Sequence, residues 1–368
     1  MKLMYLCSWG KNKEKTWSGT SYSLYKALMK KTDIQEVDMS FSKSNKIILD
    51  ILNLRIRNGK LKINSPYRKL TTIAKQKKLD KVTKNKDNIP KLLIEDFGEG
   101  ENLYFYTDLT IDAVLDIYKN KPDIKKYVNF SYVPDKDLHR QNVDQQRIFK
   151  NSEGIFTMSQ WLADNLVNHS DFPKGMVHPV GGGINLDINN IKKVPKTNNK
   201  ILFVGRDFIR KGGDLVVEAF KLLRRDYLPE AELYVAGPKN NQFENEEGIV
   251  FLGDLKPDQL SEYFNKCDIF CMPSRFEAYG LVFIEALVYG LPCIARNDFA
   301  MKEFIADGEN GYLIDNDDPI ILAKKMKDLL QNEKIKEHVL SRRDYYIKEY
   351  SWDSVADRIL KVIQKNEK

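Results

Sequence analysis

Residues 273–295 read PSRFEAYGLVFIEALVYGLPCIA. A strand ends at Pro273, a loop carries Glu277, Tyr279 and Gly280, a helix spans Gly280–Tyr289, and another strand follows at Pro292–Ala295. Strand, loop, helix and strand in close succession make the repeating unit of a parallel sheet covered by helices. The weakly charged run Ala278–Ala295 approaches the length of a membrane span, but Glu285, Gly280, Gly290 and Pro292 interrupt it, so it reads as buried core. A glycine-containing loop at a helix N-terminus offers free N–H groups and the positive end of the helix dipole, which suits a phosphate. Glu277 and Glu285 could accept hydrogen bonds from sugar hydroxyls on either side of a diphosphate. The plainer alternative makes Glu277 a surface loop residue and Glu285 a helix-surface residue. Glu285, however, lies among Leu281, Val282, Ile284, Ala286 and Leu287, where an unpaired carboxylate would be costly.

A second segment, KILFVGRDFIRKGGD (200–214), repeats the strand–loop–helix logic. Its strand ends in Gly205, and Arg206 and Lys211 bracket the loop before the next helix. Loop cations at the C-terminal ends of strands in an open α/β sheet point into the crevice where ligands bind. A guanidinium forks onto phosphate oxygens and an ammonium adds a point charge, so the pair complements one diphosphate; two solvated charges are the alternative.

The same alternation runs through the chain, which makes the fold class α/β. Strands are expected at Lys2–Cys7, Gln35–Met39, Lys91–Ile94, Leu103–Tyr106, Gly154–Met158, Lys200–Val204, Glu232–Ala236, Ile249–Leu252 and Ile269–Met272. Helices are expected at Ser21–Lys31, Ile111–Lys119, Trp161–Asn168, Gly213–Arg224, Pro257–Asn265, Asp318–Leu330 and, last, Ser351–Ile363. The 368 residues allow two or three domains. Leu186–Lys200, LDINNIKKVPKTNNK, is polar with little periodicity and suits a linker between two of them.

Hydrophobic residues at 42% and charged residues at 30% describe a folded, water-soluble chain and exclude collagen-like or disordered classes. Cys7, Cys267, Cys271 and Cys293 lie in apolar runs without zinc-site spacing, which implies a reducing compartment and no structural metal. The apolar start, Met1–Trp9, is too short for a secretory segment. The net charge of +7 is uneven: residues 1–195 hold 33 Lys and Arg against 22 Asp and Glu, and the remainder 26 against 30. Residues 41–91 alone hold 15 basic side chains, among them Lys43, Arg55, Arg57, Lys60, Lys62, Arg68, Lys75, Lys77 and Lys78, against Asp50, Asp80 and Asp87. That half is suited to an anionic partner, or the stretch is a solvated helical face.

Together, the Gly-Arg-x4-Lys-Gly and Glu-x7-Glu patterns, the run EALVYGLPCIA and the later IADGENGYLI (305–314) resemble glycosyltransferase family 4, retaining enzymes of the GT-B fold, also called group 1 glycosyl transferases. WSGTSYSL (17–24), YTDLT (106–110), TMSQWLADNL (157–166) and VHPVGGGINL (177–186) resemble one branch of it more loosely. The resemblance implies two Rossmann-like domains facing across a cleft. An acceptor-binding domain would span 1–190, a nucleotide-sugar donor domain 196–350, and a terminal helix in 351–368 would pack back on the first. It implies that Arg206, Lys211 and the backbone near Tyr279, Gly280 and Leu281 hold the donor diphosphate, that Glu285 binds ribose hydroxyls, and that Glu277 binds the transferred sugar. Gly19 would approach the donor phosphate from the first domain. Many members carry a His-Asp pair near the sugar; the matching region here offers Thr107-Asp108 or Asn129-Phe130, and Asp108 is the candidate for orienting a sugar hydroxyl, or else it caps the helix near Ile111. Arg296–Ala300 stands where two glycines are common.

With the diphosphate charge met by Arg206, Lys211 and a helix N-terminus, the expected reaction is metal-independent, retains anomeric configuration and uses no cofactor beyond the nucleotide-sugar substrate. The expected acceptor is a hydroxyl in polysaccharide, glycolipid or glycoprotein assembly, with a lipid-linked or anionic acceptor among the candidates. The expected location is cytoplasmic, with peripheral membrane contact through 41–91. Asp135-x-Asp137 and Asp315-x-Asp317 spell a metal-binding pair of another transferase fold, but both read as capping or solvated turns. His139, His169, His178 and His338 are scattered, and Gly181–Gly183 could line a cleft or make a tight turn. A nucleotide-sugar epimerase is the alternative within the fold. A nucleic-acid-binding protein is the alternative outside it, disfavoured because the basic stretch carries only Phe41 and Tyr67 as aromatics.

Overall fold

The computed structural model describes every residue except 58, 59, 64–68, 96, 129, 131, 132, 193–198, 241–245 and 368, and for 55–57 and 60–63 the backbone alone. Arg68, Tyr67 and Asn129 therefore lie outside the described residues, as does much of the polar stretch 186–200. The chain forms two compact units: Met1–Gly183 with Trp352–Lys368, and Ile184–Ser351.

The first unit contains β1 (Lys2–Cys7), β2 (Asp33–Asp38), an antiparallel hairpin of β3 (Leu54–Arg57) and β4 (Lys60–Ile63), then β5 (Lys91–Leu93), β6 (Leu103–Thr107), β7 (Gly154–Thr157) and β8 (Val177–Pro179). Six of these form a parallel sheet in the order β2-β1-β5-β6-β7-β8, with Met4 opposite Lys91 and Tyr104 opposite Gly154. Leu3 to Leu6 and Leu103 to Tyr106 are buried without alternation, as strands covered on both faces require. The helices are α1 (Thr20–Met29), α2 (Lys43–Leu52), α3 (Lys69–Thr83), α4 (Ile111–Asn120), α5 (Asp135–Lys150) and α6 (Gln160–Asn168). Asp135 and Asp137 are not in a turn: they occupy the first turn of α5, where carboxylates complement the helix dipole.

The second unit repeats the plan with β9 (Lys200–Val204), β10 (Glu232–Ala236), β11 (Ile249–Gly253), β12 (Ile269–Cys271), β13 (Cys293–Arg296) and β14 (Gly311–Ile314), ordered β11-β10-β9-β12-β13-β14 and all parallel. The order reverses between β9 and β12, so the loops after these two strands border the crevice where ligands bind in open α/β sheets. The helices are α7 (Gly213–Asp226), α8 (Pro257–Lys266), α9 (Leu281–Val288), α10 (Met301–Phe304), α11 (Pro319–Gln331), α12 (Glu333–Ser341) and α13 (Arg343–Glu349). Before the undescribed residues, the stretch read as a linker is fastened to this unit. The Tyr289 hydroxyl donates to Asp187 O at 2.8 Å, and Asn265 donates to Asn190 O and accepts from Lys192 N, both at 2.8 Å.

Beyond the second unit, α14 (Trp352–Asn366) belongs to the first. Its stripe Trp352, Val355, Ala356, Ile359, Leu360 and Ile363 is buried, while Lys30–Asp353 and Lys31–Asp357 are solvated pairs of small worth. Gly181–Gly183 has a packing role inside this unit. Tyr106 donates to Gly181 O at 2.9 Å, and a Cβ on Gly183 would stand 2.5 Å from the Trp352 ring. We therefore expect Ile359→Ala, at a fully buried position, to cost about 2–5 kcal/mol, and Gly183→Ala to destabilise by forcing the indole aside. Urea unfolding reads both, and unchanged midpoints would contradict the docking of α14.

Candidate functional site

The loops after β9 and β12 are knitted together at the backbone. Gly205 closes β9 by donating to Ala236 O at 2.8 Å, and the Lys211 stem packs where a Cβ on Gly205 would be, 2.8 Å from its Cβ. Gly212 has φ of +76° and would place a Cβ 2.6 Å from Pro273 O, so only glycine fits between the two loops. Arg275 N donates to Arg210 O at 2.8 Å, and the Arg210 guanidinium donates to Phe276 O at 2.7 Å. Behind this junction the Arg275 side chain, 8% exposed, forks onto Asp214 at 2.7 and 2.9 Å, donates to Asp317 at 2.7 Å and reaches Ile209 O. Burial works against that guanidinium's charge, yet Asp214 and Asp317 raise its pKa. Likewise, against the cost of burial, Arg275 and Arg296 hold the Asp317 carboxyl below its ordinary value. Asp317, read as a solvated turn residue, is instead the ionic tie between these arginines, and Asp315 accepts from Asn297 at 3.0 Å. Among the described residues no group of three or more His, Cys, Asp or Glu converges as a metal site would.

In front of the junction lies Glu277. Its carboxylate is held by the Lys211 ammonium, with Arg210 Nη1 3.7 Å from the same oxygen; the three side chains are 14–15% exposed. Burial lowers the Lys211 pKa, with Arg210 acting in the same direction and Glu277 against it. Gly280, the N-cap of α9 with φ of +98°, rests on this carboxylate's stem: a Cβ there would lie 3.1 Å from Glu277 Cγ. Gly205, Lys211, Glu277 and Gly280 thus form one contiguous cluster, and Leu281 opens the helix beside it. Arg206 stands apart, exposed and paired with Asp254 at 2.9 Å. The Tyr279 ring is buried edge-on against Phe304, 4.9 Å between centroids. Arg210 was not among the candidates, although its place directly before Lys211 was a visible signal.

Glu285 is on the second turn of α9, 8% exposed, and is not unpaired: it accepts from the backbone N–H of Asn185 at 3.2 Å and from that of Leu186. Burial, only partly offset by these two bonds, pushes its carboxyl up to about 7. In the first unit, Gly19 caps α1 with φ of +94° after two further left-handed residues, Trp17 and Ser18. Non-glycine residues in that region cost on the order of 1–3 kcal/mol each, which nothing in the sequence signals. Trp17 stacks edge-on with Tyr106 at 5.8 Å, so this loop lies beside the end of β6, where Asp108 follows. The cap of α4 is Thr110, accepting from Ala113 N at 3.2 Å, and not Asp108. Phe130 packs on Ile111, Val133 and Leu138.

Because its folded pKa is raised, Glu285 contributes most to stability below pH 4.5, and that contribution is lost as pH rises through about 7. At about 1.36 kcal/mol per pH unit, Glu285→Gln is expected to match the wild type in acid and to be more stable by roughly 3 kcal/mol above neutrality. Urea titrations across pH check this; a constant difference at all pH values would contradict a carboxyl ionising in its buried place.

A family model described as "Glycosyl transferases group 1" matches residues 186–345. The phosphatidyl-myo-inositol mannosyltransferase of Mycobacterium leprae is 26% identical over 196 residues, covering 50% of this chain and 52% of that protein. The chain spans about half the length of the curated relatives it matches. Sucrose-phosphate synthase of Thermosynechococcus elongatus is similar in fold with a TM-score of 0.67 at 14% identity, covering 99% of this chain and 98% of that one. HepE of Anabaena, solved with UDP and glucose, is similar with a TM-score of 0.65 at 14% identity, covering 99% and 100%. The fold is therefore the two-domain α/β arrangement of GT-B glycosyltransferases, and residues 186–345 are similar to the group 1 glycosyl transferases.

Proposed function

We propose that the chain is a retaining glycosyltransferase that moves a sugar from a nucleotide-diphosphate donor to a hydroxyl acceptor. The observation that carries this reading is the Lys211–Glu277–Arg210 cluster, set where the strand order reverses and beside the N-terminus of α9. A diphosphate arriving there competes with Glu277 for the Lys211 ammonium. Arg210 keeps a hold on the released carboxylate, which then accepts from the donor sugar's hydroxyls. Arg206, freed from Asp254, and the first-turn N–H groups of α9 at Leu281 take further phosphate charge. Glu285, ionised, accepts from the ribose, and Asp108 and Gly19 serve the sugar and phosphate in the roles expected above.

The chemical step follows from where the charge goes. As the bond between the anomeric carbon and the phosphate oxygen breaks, the developing negative charge is met by fixed cations and helix amides, so no divalent ion is required. The acceptor oxygen bonds to the same carbon from the face the diphosphate is leaving, and its proton passes to a phosphate oxygen on that face. Configuration is retained, and neither a dedicated base nor a cofactor is used. The basic balance of residues 41–91 favours an acceptor that is anionic or lipid-linked.

Lys211→Ala and Arg206→Ala each remove a charge-assisted contact worth roughly 1.5–3 kcal/mol, so nucleotide-sugar affinity should fall about 10- to 100-fold while the chain stays folded. Transfer from a donor panel in excess EDTA should proceed, with the product's anomeric configuration retained by NMR. Unchanged affinity in both variants would sink the site assignment. An inverted product, or turnover lost on chelation and restored by manganese, would sink the mechanism.

A further inference from the structure

The basic residues of 41–91 whose side chains are described separate into two groups. Lys75 pairs with Glu95, Lys78 donates to Ser40 O, Lys86 to Val82 O, and Lys91 is buried on three carbonyls. These four are used inside the unit. Lys43, Lys46, Lys69, Lys77, Lys81 and Lys84 are exposed. They share their surface with aliphatic side chains that a water-facing helix does not need: Ile47 is 59% exposed, Ile48 54%, Ile51 65%, Leu70 44% and Ile73 42%.

The helical periods put these groups on continuous faces. On α2, Lys43, Ile47 and Ile51 recur every four residues with Ile48 alongside, while Leu49 turns inward. On α3, Leu70, Ile73, Lys77 and Lys81 recur at three- and four-residue steps, with Lys84 continuing the stripe, while Thr71 and Leu79 turn inward. The buried Asn53 amide donates to Leu49 O at 2.8 Å and to Thr71 Oγ1 at 3.1 Å, so the end of one helix is tied to the start of the other. Asp50 and Asp80 are the acidic residues of the two helices. Aliphatic side chains bordered by exposed lysines match the two layers of an anionic bilayer surface, acyl chains beneath phosphates. A protein partner would need an acidic rim instead, and a second copy of this face would set lysines against lysines.

We propose that α2 and the N-terminal half of α3 form a membrane-docking face that inserts Ile47, Ile48, Ile51, Leu70 and Ile73 into an anionic leaflet while the flanking lysines engage its headgroups. This rests on the exposed face and not on the transfer chemistry, so either proposal can fail without the other. The test is sedimentation of the full chain with vesicles of phosphatidylcholine alone, or of phosphatidylcholine and phosphatidylglycerol in equal parts. The wild type should partition into the anionic vesicles at least 10-fold better than into the neutral ones. Ile47→Glu with Ile51→Glu, and Lys77→Glu with Lys81→Glu, should each cut that partition at least 10-fold while leaving nucleotide-sugar binding unchanged, and salt should weaken what remains of the wild-type binding. Insertion is read separately from Ile48→Cys carrying a polarity-sensitive fluorophore, the native cysteines all being buried; its emission should shift blue on anionic vesicles. Equal binding to both vesicle types, full binding by the isoleucine variant, no spectral shift, or a dimer that dissociates on Ile47→Glu with Ile51→Glu would each overturn the proposal.

Discussion

The site in the second unit depends on one partly buried ionic arrangement: the Glu277 carboxylate between the Lys211 ammonium and the Arg210 guanidinium. Removing three charges from water is costly, and an apolar replacement of such a cluster is often no less stable. Its consequence here is geometric. The cluster joins the loop after β9 to the loop after β12, on either side of the reversal in strand order, and everything around it serves that junction. Gly212 lets the backbones touch, Gly205 makes room for the lysine stem, and Gly280 lies over the glutamate stem. Arg275 locks the rear through Asp214, Asp317 and Ile209 O. The arrangement holds cationic groups and a carboxylate at a strand-end crevice, partnered with each other; in the function proposed above, a diphosphate displaces that partnership.

Much of this was legible because the second unit's strands are short, apolar runs between clear breakers. Lys200–Val204 and Glu232–Ala236 are read to the residue, and most other strands to within one or two. What escaped notice lacks that contrast. The helix α5 is polar around most of its circumference and buries only Leu138, Gln145, Ile148 and Phe149. On α2 the apolar residues face outward, so periodicity gave no core to place it against. The short β14 follows a turn and is not among the expected strands. Within the site, Glu277, Lys211 and Gly280 stood out by residue type and spacing. The role of Arg275 did not, since it depends on Asp214 and Asp317, 61 and 42 positions away. Thr110 displaced Asp108 as a helix cap because a hydroxyl one residue before Ile111 reaches the Ala113 amide.

Glu285 illustrates how a structural and a functional demand meet in one side chain. In the sequence, a carboxylate in so apolar a helix favours a functional role over a plain helix-surface position, because leaving it unpaired would be costly. The structure supplies two backbone N–H donors from Asn185 and Leu186, so the residue is partly satisfied within the fold. They do not fully offset burial, and the carboxyl remains near neutrality in its titration. A group in that condition gains most from a further hydroxyl donor, which would favour the ionised form. If Glu285 binds the ribose as proposed, stability and ligand binding pull in opposite directions at this position, as is common where a buried polar group is retained for use.

The most direct test of the central claim is the affinity of Glu277→Gln for a nucleoside diphosphate carrying no sugar. UDP, GDP and ADP are titrated into the wild type by calorimetry, and the one that binds is titrated into Glu277→Gln and Lys211→Ala. If Glu277 competes with the diphosphate for Lys211, the glutamine variant binds the plain nucleotide several-fold more tightly than the wild type, while the alanine variant binds it more weakly. Weaker binding by both variants to the same degree would contradict the exchange of partners and make the Lys211–Glu277 pair a fixed structural tie.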